Sequence, residues 1–179
     1  MNFSILYPIL LFAFIFFCFR VVINKRGESR RRYLEQLLDD EQASNFSRAK
    51  PIPDHVYVQL NTDFLHDPAL TDYPADLADH VKTTLETMRT NALQKSKQPM
   101  MKIEKDQTNT MLKEAFGVAN LEKIIAGDEN LYNYLHSLNN YAELLIKSHM
   151  KPAATLVLQH AVHELGSEIT KSHELLKSL

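Results

Sequence analysis

The chain of 179 residues has no tryptophan, one cysteine and four glycines, and no charged residue before Arg20. Each shortage excludes something. A single cysteine, Cys18, allows neither a disulfide framework nor a thiolate metal site within one chain, which suits a reducing compartment. The glycines stand alone at 27, 117, 127 and 166, so no loop of clustered glycines exists to cradle a phosphate. No GxSxG occurs, and the one thiol lies inside an apolar run, so neither usual nucleophile is on offer. Few glycines and seven prolines leave few breaks, and the abundant Leu, Ala, Lys and Glu favour helix. The expected fold is all-α, with no enzymatic activity.

The uncharged start holds six of the nine phenylalanines and is followed at once by Lys25, Arg26, Arg30, Arg31 and Arg32. A helix rises about 1.5 Å per residue, and a hydrocarbon core of about 30 Å takes about 20 apolar residues. Residues 3–23 meet that length with one charge, Arg20, placed where it snorkels to the headgroups. Tyr7 suits the opposite interface and Pro8 an early helical turn. No basic segment precedes the run, no small-x-small site follows it, and Cys18 follows Ile15, Phe16 and Phe17 rather than a small residue. The expectation is an uncleaved signal anchor in the plasma membrane. By the positive-inside rule Met1 is outside and the C-terminal domain cytoplasmic. Tyr7, Arg20, Lys25, Arg26, Arg30, Arg31 and Arg32 form the membrane interface, the cations holding anionic headgroups at about 1 kcal/mol each.

Net charge is −2, so with the juxtamembrane cations set aside the remainder is moderately acidic, which argues against a nucleic-acid surface. Four segments are expected: the anchor at 1–24, a basic juxtamembrane helix at 25–48, a Pro-containing linker at 49–73 and a helical domain at 74–179. In the second, Tyr33, Leu34, Leu37 and Leu38 give a short apolar stripe read as a solvated continuation of the anchor. In the linker, 56–58 is extended in character but has no evident strand to pair with.

Helical spacing then takes over. Pro74 suits a first turn before the stripe Leu77, Val81, Leu85, Met88 and Ala92. A polar break with Pro99 follows, then a helix capped by Asp106 or Thr108 that Gly117 interrupts. Gly127-Asp128 reads as a C-cap followed by an N-cap. The longest apolar helix is expected from Glu129 to His149, carrying Leu131, Tyr134, Leu135, Leu138, Tyr141, Ala142, Leu145 and Ile146. Pro152 opens another, ending at Gly166, and Ser167 caps a last one that reaches Leu179.

Across 135–168, Leu138, Tyr141, Ala142, Leu145, Ala154, Leu158, Ala161 and Gly166 alternate large and small residues at helix-hairpin spacing. This pattern resembles a tetratricopeptide repeat, in which alanines let two antiparallel helices approach to about 8–10 Å. The likeness is degenerate: Leu138 replaces the family's Trp and Gly166 its Pro. A generic tight hairpin would share the spacing. The resemblance implies a protein-binding surface, because one repeat cannot bury its face alone.

Histidine is the residue type closest to offering chemistry. His160 and His163 share a helix with Glu164, and His149 and His173 approach in a hairpin. The order HAVHE lacks the HExxH ligand arrangement, so these are read as exposed or rim histidines, with a metal-dependent hydrolase a remote alternative. Tyr134 and Tyr141 share a core face, while Tyr132 points elsewhere. No cofactor or metal is expected. The function expected is a membrane-anchored, bacterial-type adaptor or scaffold, with self-association as the alternative. Its candidate protein-binding residues are Tyr132, His136, His173, Leu175, Leu176 and Leu179, and its partners are the bilayer, through 3–23, and an unidentified protein or a second copy.

Overall fold

The computed structural model describes residues 3–179. Met1 and Asn2, and the side chains of residues 3–6, 8 and 9, lie outside the described residues; the backbone at Pro8 is helical, in the second turn of the first helix. The described chain is all-helical. One helix, α1 (Phe3–Ser44), runs unbroken for 42 residues, about 63 Å, through the 24/25 boundary where the character of the sequence changes. Gly27 has nothing within 4 Å of a Cβ built on it, so nothing there bends the helix. Among the described residues, no helix is long and apolar enough to cross a membrane.

The domain is built on α5 (Val118–Lys147), with α3 (Asp79–Lys95), α4 (Asn109–Phe116) and α6 (Lys151–Gln159) packed against it. The expected α5 stripe is buried except at Ile146, which is half-buried. Ala142, Ala154 and Ala161 are fully covered where α6 folds back on α5, as are Leu138, Tyr141 and Leu158. Pro152 does lie in the first turn of α6. One π-helical turn, His160–Glu164, continues α6, and Gly166 follows at φ 59°. The last helix, α7 (Thr170–Lys177), packs on α6 and is clasped to α5 by Lys171, which with Lys147 holds the Glu143 carboxyl down at about 2.

Several local expectations are corrected. Pro74 does not open α3, which starts at Asp79 behind an Ala78 N-cap. Thr108 rather than Asp106 caps α4, its hydroxyl accepting from the Met111 N–H at 3.3 Å. Gly127 ends nothing, because α5 runs through it. A Cβ there would stand 2.8 Å from Met101 Cγ and 3.2 Å from the Met101 nitrogen, which donates to the Gly127 carbonyl at 3.1 Å. The glycine lets a second segment cross the helix, and Asp128 takes the Ile103 N–H at 3.1 Å. That crossing segment supplies the partner that 56–58 was expected to lack. Tyr57 and Met101 form an antiparallel bridge, with Val58 N–H donating to the Met100 carbonyl at 2.9 Å. Ser167 does not cap α7, whose N-cap is Ile169; its hydroxyl pairs with Ser172.

Residues 49–73 lie against the domain. They include the short helix α2 (Pro68–Thr71), and Leu65 and Leu70 are fully buried in the main core. The end of α1 docks on α4. Glu41 there accepts from Thr110 and from Lys113, whose side chain is 11% exposed and also donates to Asn45. This lysine pair holds the Glu41 carboxyl below its ordinary range.

Several polar residues are buried, and Asn139 is covered most completely without a partner. Asn139 is 0% exposed, and neither amide atom has a partner among the described residues. A buried unpartnered polar group costs about 1–3 kcal/mol. Asn139→Leu is therefore expected to raise the denaturant midpoint. A fall would show that the amide is well satisfied.

Candidate functional site: a cleft beside Tyr132

A cleft of about 780 Å³ lies between the 102–105 segment, the middle of α5 and the turn leading into α7. Its floor is apolar, from Leu131 and Leu135 on α5 together with Leu165 and Ile169. Its rim is charged with both signs. Two lysines bridge the mouth: Lys102 Nζ donates to the Gly166 carbonyl at 3.2 Å, and Lys105 pairs with Glu168. That lysine holds the Glu168 carboxyl below its ordinary range. Glu104 shares the wall, and Lys171 stands at the far end. The Lys105–Glu168 ion pair at the rim is exposed, so it contributes little and exchanges readily for a partner's charges.

Tyr132 forms one side of the cleft. It is 56% exposed and stands edge-on to His136, ring centroids 4.3 Å apart. Helical spacing explains the pair, since i and i+4 share a face. His136 is half-buried, with a covered Nε2. The other candidates lie on α7 or, for Leu179, just past its end, outside the cleft lining. His173 donates from Nε2 to the Ser167 carbonyl at 2.8 Å, which ties down the start of the helix. Leu175, Leu176 and Leu179 are half-buried against the main core, so they cover the domain more than they project from it. The structure thus brings Tyr132 and His136 together and leaves the α7 group apart.

The membrane-interface residues Tyr7, Arg20, Lys25, Arg26, Arg30, Arg31 and Arg32 all lie on α1, and all are exposed. Their cations fall on every side of the helix rather than along one stripe. The large apolar residues from Leu10 to Phe19 are 50–73% exposed whichever way they point, so no part of the domain covers them.

The histidines diverge. His160 is 3% exposed, against the expectation of a rim residue, while His163, His149 and His173 are exposed. His160 Nδ1 lies 2.9 Å from Glu164 Oε2, and burial holds the imidazole below its ordinary range despite that carboxylate. Among the described residues, no three His, Cys, Asp or Glu side chains converge as metal ligands would. Tyr134 and Tyr141 are fully buried, and burial pushes both phenols well above their ordinary range.

Sequence reasoning missed the lysines of the rim and the floor leucines as a site. Lys102 and Lys105 sit in a polar break of no period, and their acceptors lie more than sixty residues away. Compared with known proteins, the chain matches no family model, no curated sequence and no solved structure.

Proposed function

We propose that this chain is a single-pass protein of a bacterial-type plasma membrane that presents a non-enzymatic, protein-binding helical domain on the cytoplasmic side. In this reading residues 3–23 span the bilayer with Met1 outside, and the hairpin at 135–168 is a degenerate tetratricopeptide-like unit. One observation carries the membrane part. An unbroken helix has an apolar stretch uncovered on every face, followed by cations on every side, and ends docked on a domain with its own closed core. A helix lying on a bilayer surface needs one apolar face, whereas a spanning helix is apolar all round. The binding part is supported by the cleft, whose apolar floor and exchangeable charged rim suit a partner's side chains, with Tyr132 as the aromatic anchor.

The exposed stripe of Tyr33, Leu34, Leu37 and Leu38 on α1 favours a second reading, self-association. Site-specific photo-crosslinking in cells separates the two. A crosslinker replacing Tyr132 is expected to give a discrete adduct with a different protein, while one replacing the exposed Glu122 gives none. An adduct between two copies supports self-association. Equal, diffuse labelling at both positions contradicts a binding site at the cleft.

A further inference from the structure

Residues 61–72 cross the outside of the helical domain as a strap, and one of its fastenings rests on a buried histidine. The strap places Leu65 and Leu70 in the core, both fully covered. Arg89 of α3 donates to the Leu65 carbonyl at 3.0 Å, and the Tyr141 hydroxyl of α5 donates to the Leu70 carbonyl at 3.4 Å. On its α6 side the strap is held through Phe64, whose ring stacks on the His160 ring with centroids 4.0 Å apart and planes 29° apart. The imidazole is thus the floor on which that part of the strap rests.

The two nitrogens of that ring are not equivalent. Nδ1 donates to Glu164 Oε2 at 2.9 Å, which leaves Nε2 as the nitrogen without a proton in the neutral ring. Nε2 is fully covered and has no hydrogen-bond partner among the described residues. A proton arriving there makes a buried N–H without an acceptor and a cation in an apolar layer, both of which are costly. Few charges stand ready to offset it. On its own turn the ring faces Glu164, with His163 exposed beside it. The helix α7, which packs on that turn, carries Lys171, His173, Glu174 and Lys177, all exposed. On α5 the buried Tyr134 lies within reach of the Glu164 charge. On the strap, Asp63 and His66 flank Phe64 and Leu65 and are exposed. Turning the ring outward, past Phe64, would let water and the exposed Glu164 carboxylate solvate the cation, but only by lifting Phe64 away.

We propose that residues 61–72 are an acid-released strap whose catch is the stack of Phe64 on His160. With the ring neutral the strap is closed. A proton taken from solvent onto Nε2 favours the open form, which uncovers the part of the core that Leu65 and Leu70 fill. Burial, which already disfavours the charged ring, acts in the same direction. The sign follows from linkage. The folded ring binds its proton less well than an exposed one, so closure is fully favoured above about pH 6.5 and weakens as pH falls below it. One pH unit below that value, the open population is expected to rise, by at most about tenfold, the limit reached when the closed ring takes no proton. This device is independent of the membrane and cleft readings.

Hydrogen exchange of the full chain in detergent micelles, read peptide by peptide and corrected for intrinsic rates, tests it at pH 7.5 and 5.5. The expected result is a loss of protection over 61–72 at the lower pH, up to about tenfold, with 131–147 unchanged. His160→Phe, which keeps a stacking ring without a titrating nitrogen, should abolish the difference. Unchanged strap protection in the wild-type chain overturns the proposal, as does loss shared equally with 131–147. An acid response surviving in His160→Phe does so too. If that variant does not fold, the two wild-type outcomes decide alone.

Discussion

Gly117→Ala should destabilise the domain by at least about 3 kcal/mol and release α1 from α4. Gly117 is both the last cap of α4 and the first of α5, at φ 84°, a left-handed conformation that alanine adopts only under strain. Space is short as well. A Cβ there would stand 2.2 Å from the Arg48 carbonyl oxygen and 2.6 Å from Ala49 Cα, both backbone atoms that cannot rotate away. The segment it would displace links α1 to the domain, through Lys50 N–H to the Phe116 carbonyl at 3.0 Å and Asn120 Nδ2 to the Lys50 carbonyl at 2.6 Å. A loss of this size is a large fraction of the 5–15 kcal/mol typical of a domain. Thermal unfolding in detergent reads it, and protease cleavage near residue 48 reads the release. Gly27→Ala is the control: with open space around it in mid-helix, alanine should be neutral or stabilising by up to about 1 kcal/mol. Equal melting temperatures for Gly117→Ala and the parent would show that the crossing at 47–50 is not held as described.

Tyr141→Ala is expected to cost about 3–5 kcal/mol, while Tyr132→Ala changes stability by no more than about 0.5 kcal/mol. The two tyrosines lie on the same helix and differ only in direction. Tyr141 is fully buried beneath the strap and holds the Leu70 carbonyl, so its removal opens a cavity and frees an acceptor. Tyr132 is more than half exposed at the cleft. If the cleft binds a partner, Tyr132→Ala abolishes crosslinking from neighbouring cleft positions with the fold intact. A large stability loss from Tyr132→Ala would mean that its contact with His136 is structural.

The contrast between those tyrosines was legible in the sequence, because a helical period separates a core face from a surface position without any knowledge of partners. The same period located the α5 stripe and the small residues that admit α6. Gly127 misled for a physical reason: a glycine that ends a helix and a glycine that lets another segment cross it are identical in sequence, and only Met101 distinguishes them. The strap was hidden because Leu65 and Leu70 lie in an aperiodic stretch, and only the fold shows that both enter the main core. His160 was misread because polarity predicted exposure, whereas the π-helical turn directs its ring beneath Phe64. The cleft was illegible as a site because its rim is assembled from ion pairs between distant segments. Lys113, nearly buried in mid-domain, gave no sign that its partner Glu41 would arrive on the end of α1.

In the function proposed above, α1 is an anchor that carries the domain on the cytoplasmic side. Alkaline extraction of membranes from cells making the full chain, followed by protease treatment of intact spheroplasts and of inverted vesicles, tests that most directly. The chain should stay in the extracted membrane pellet, resist protease in spheroplasts and lose its C-terminal domain in inverted vesicles, and a version beginning at residue 25 should be released. Recovery of the full chain in the alkaline supernatant, or digestion of the domain in spheroplasts, would contradict it.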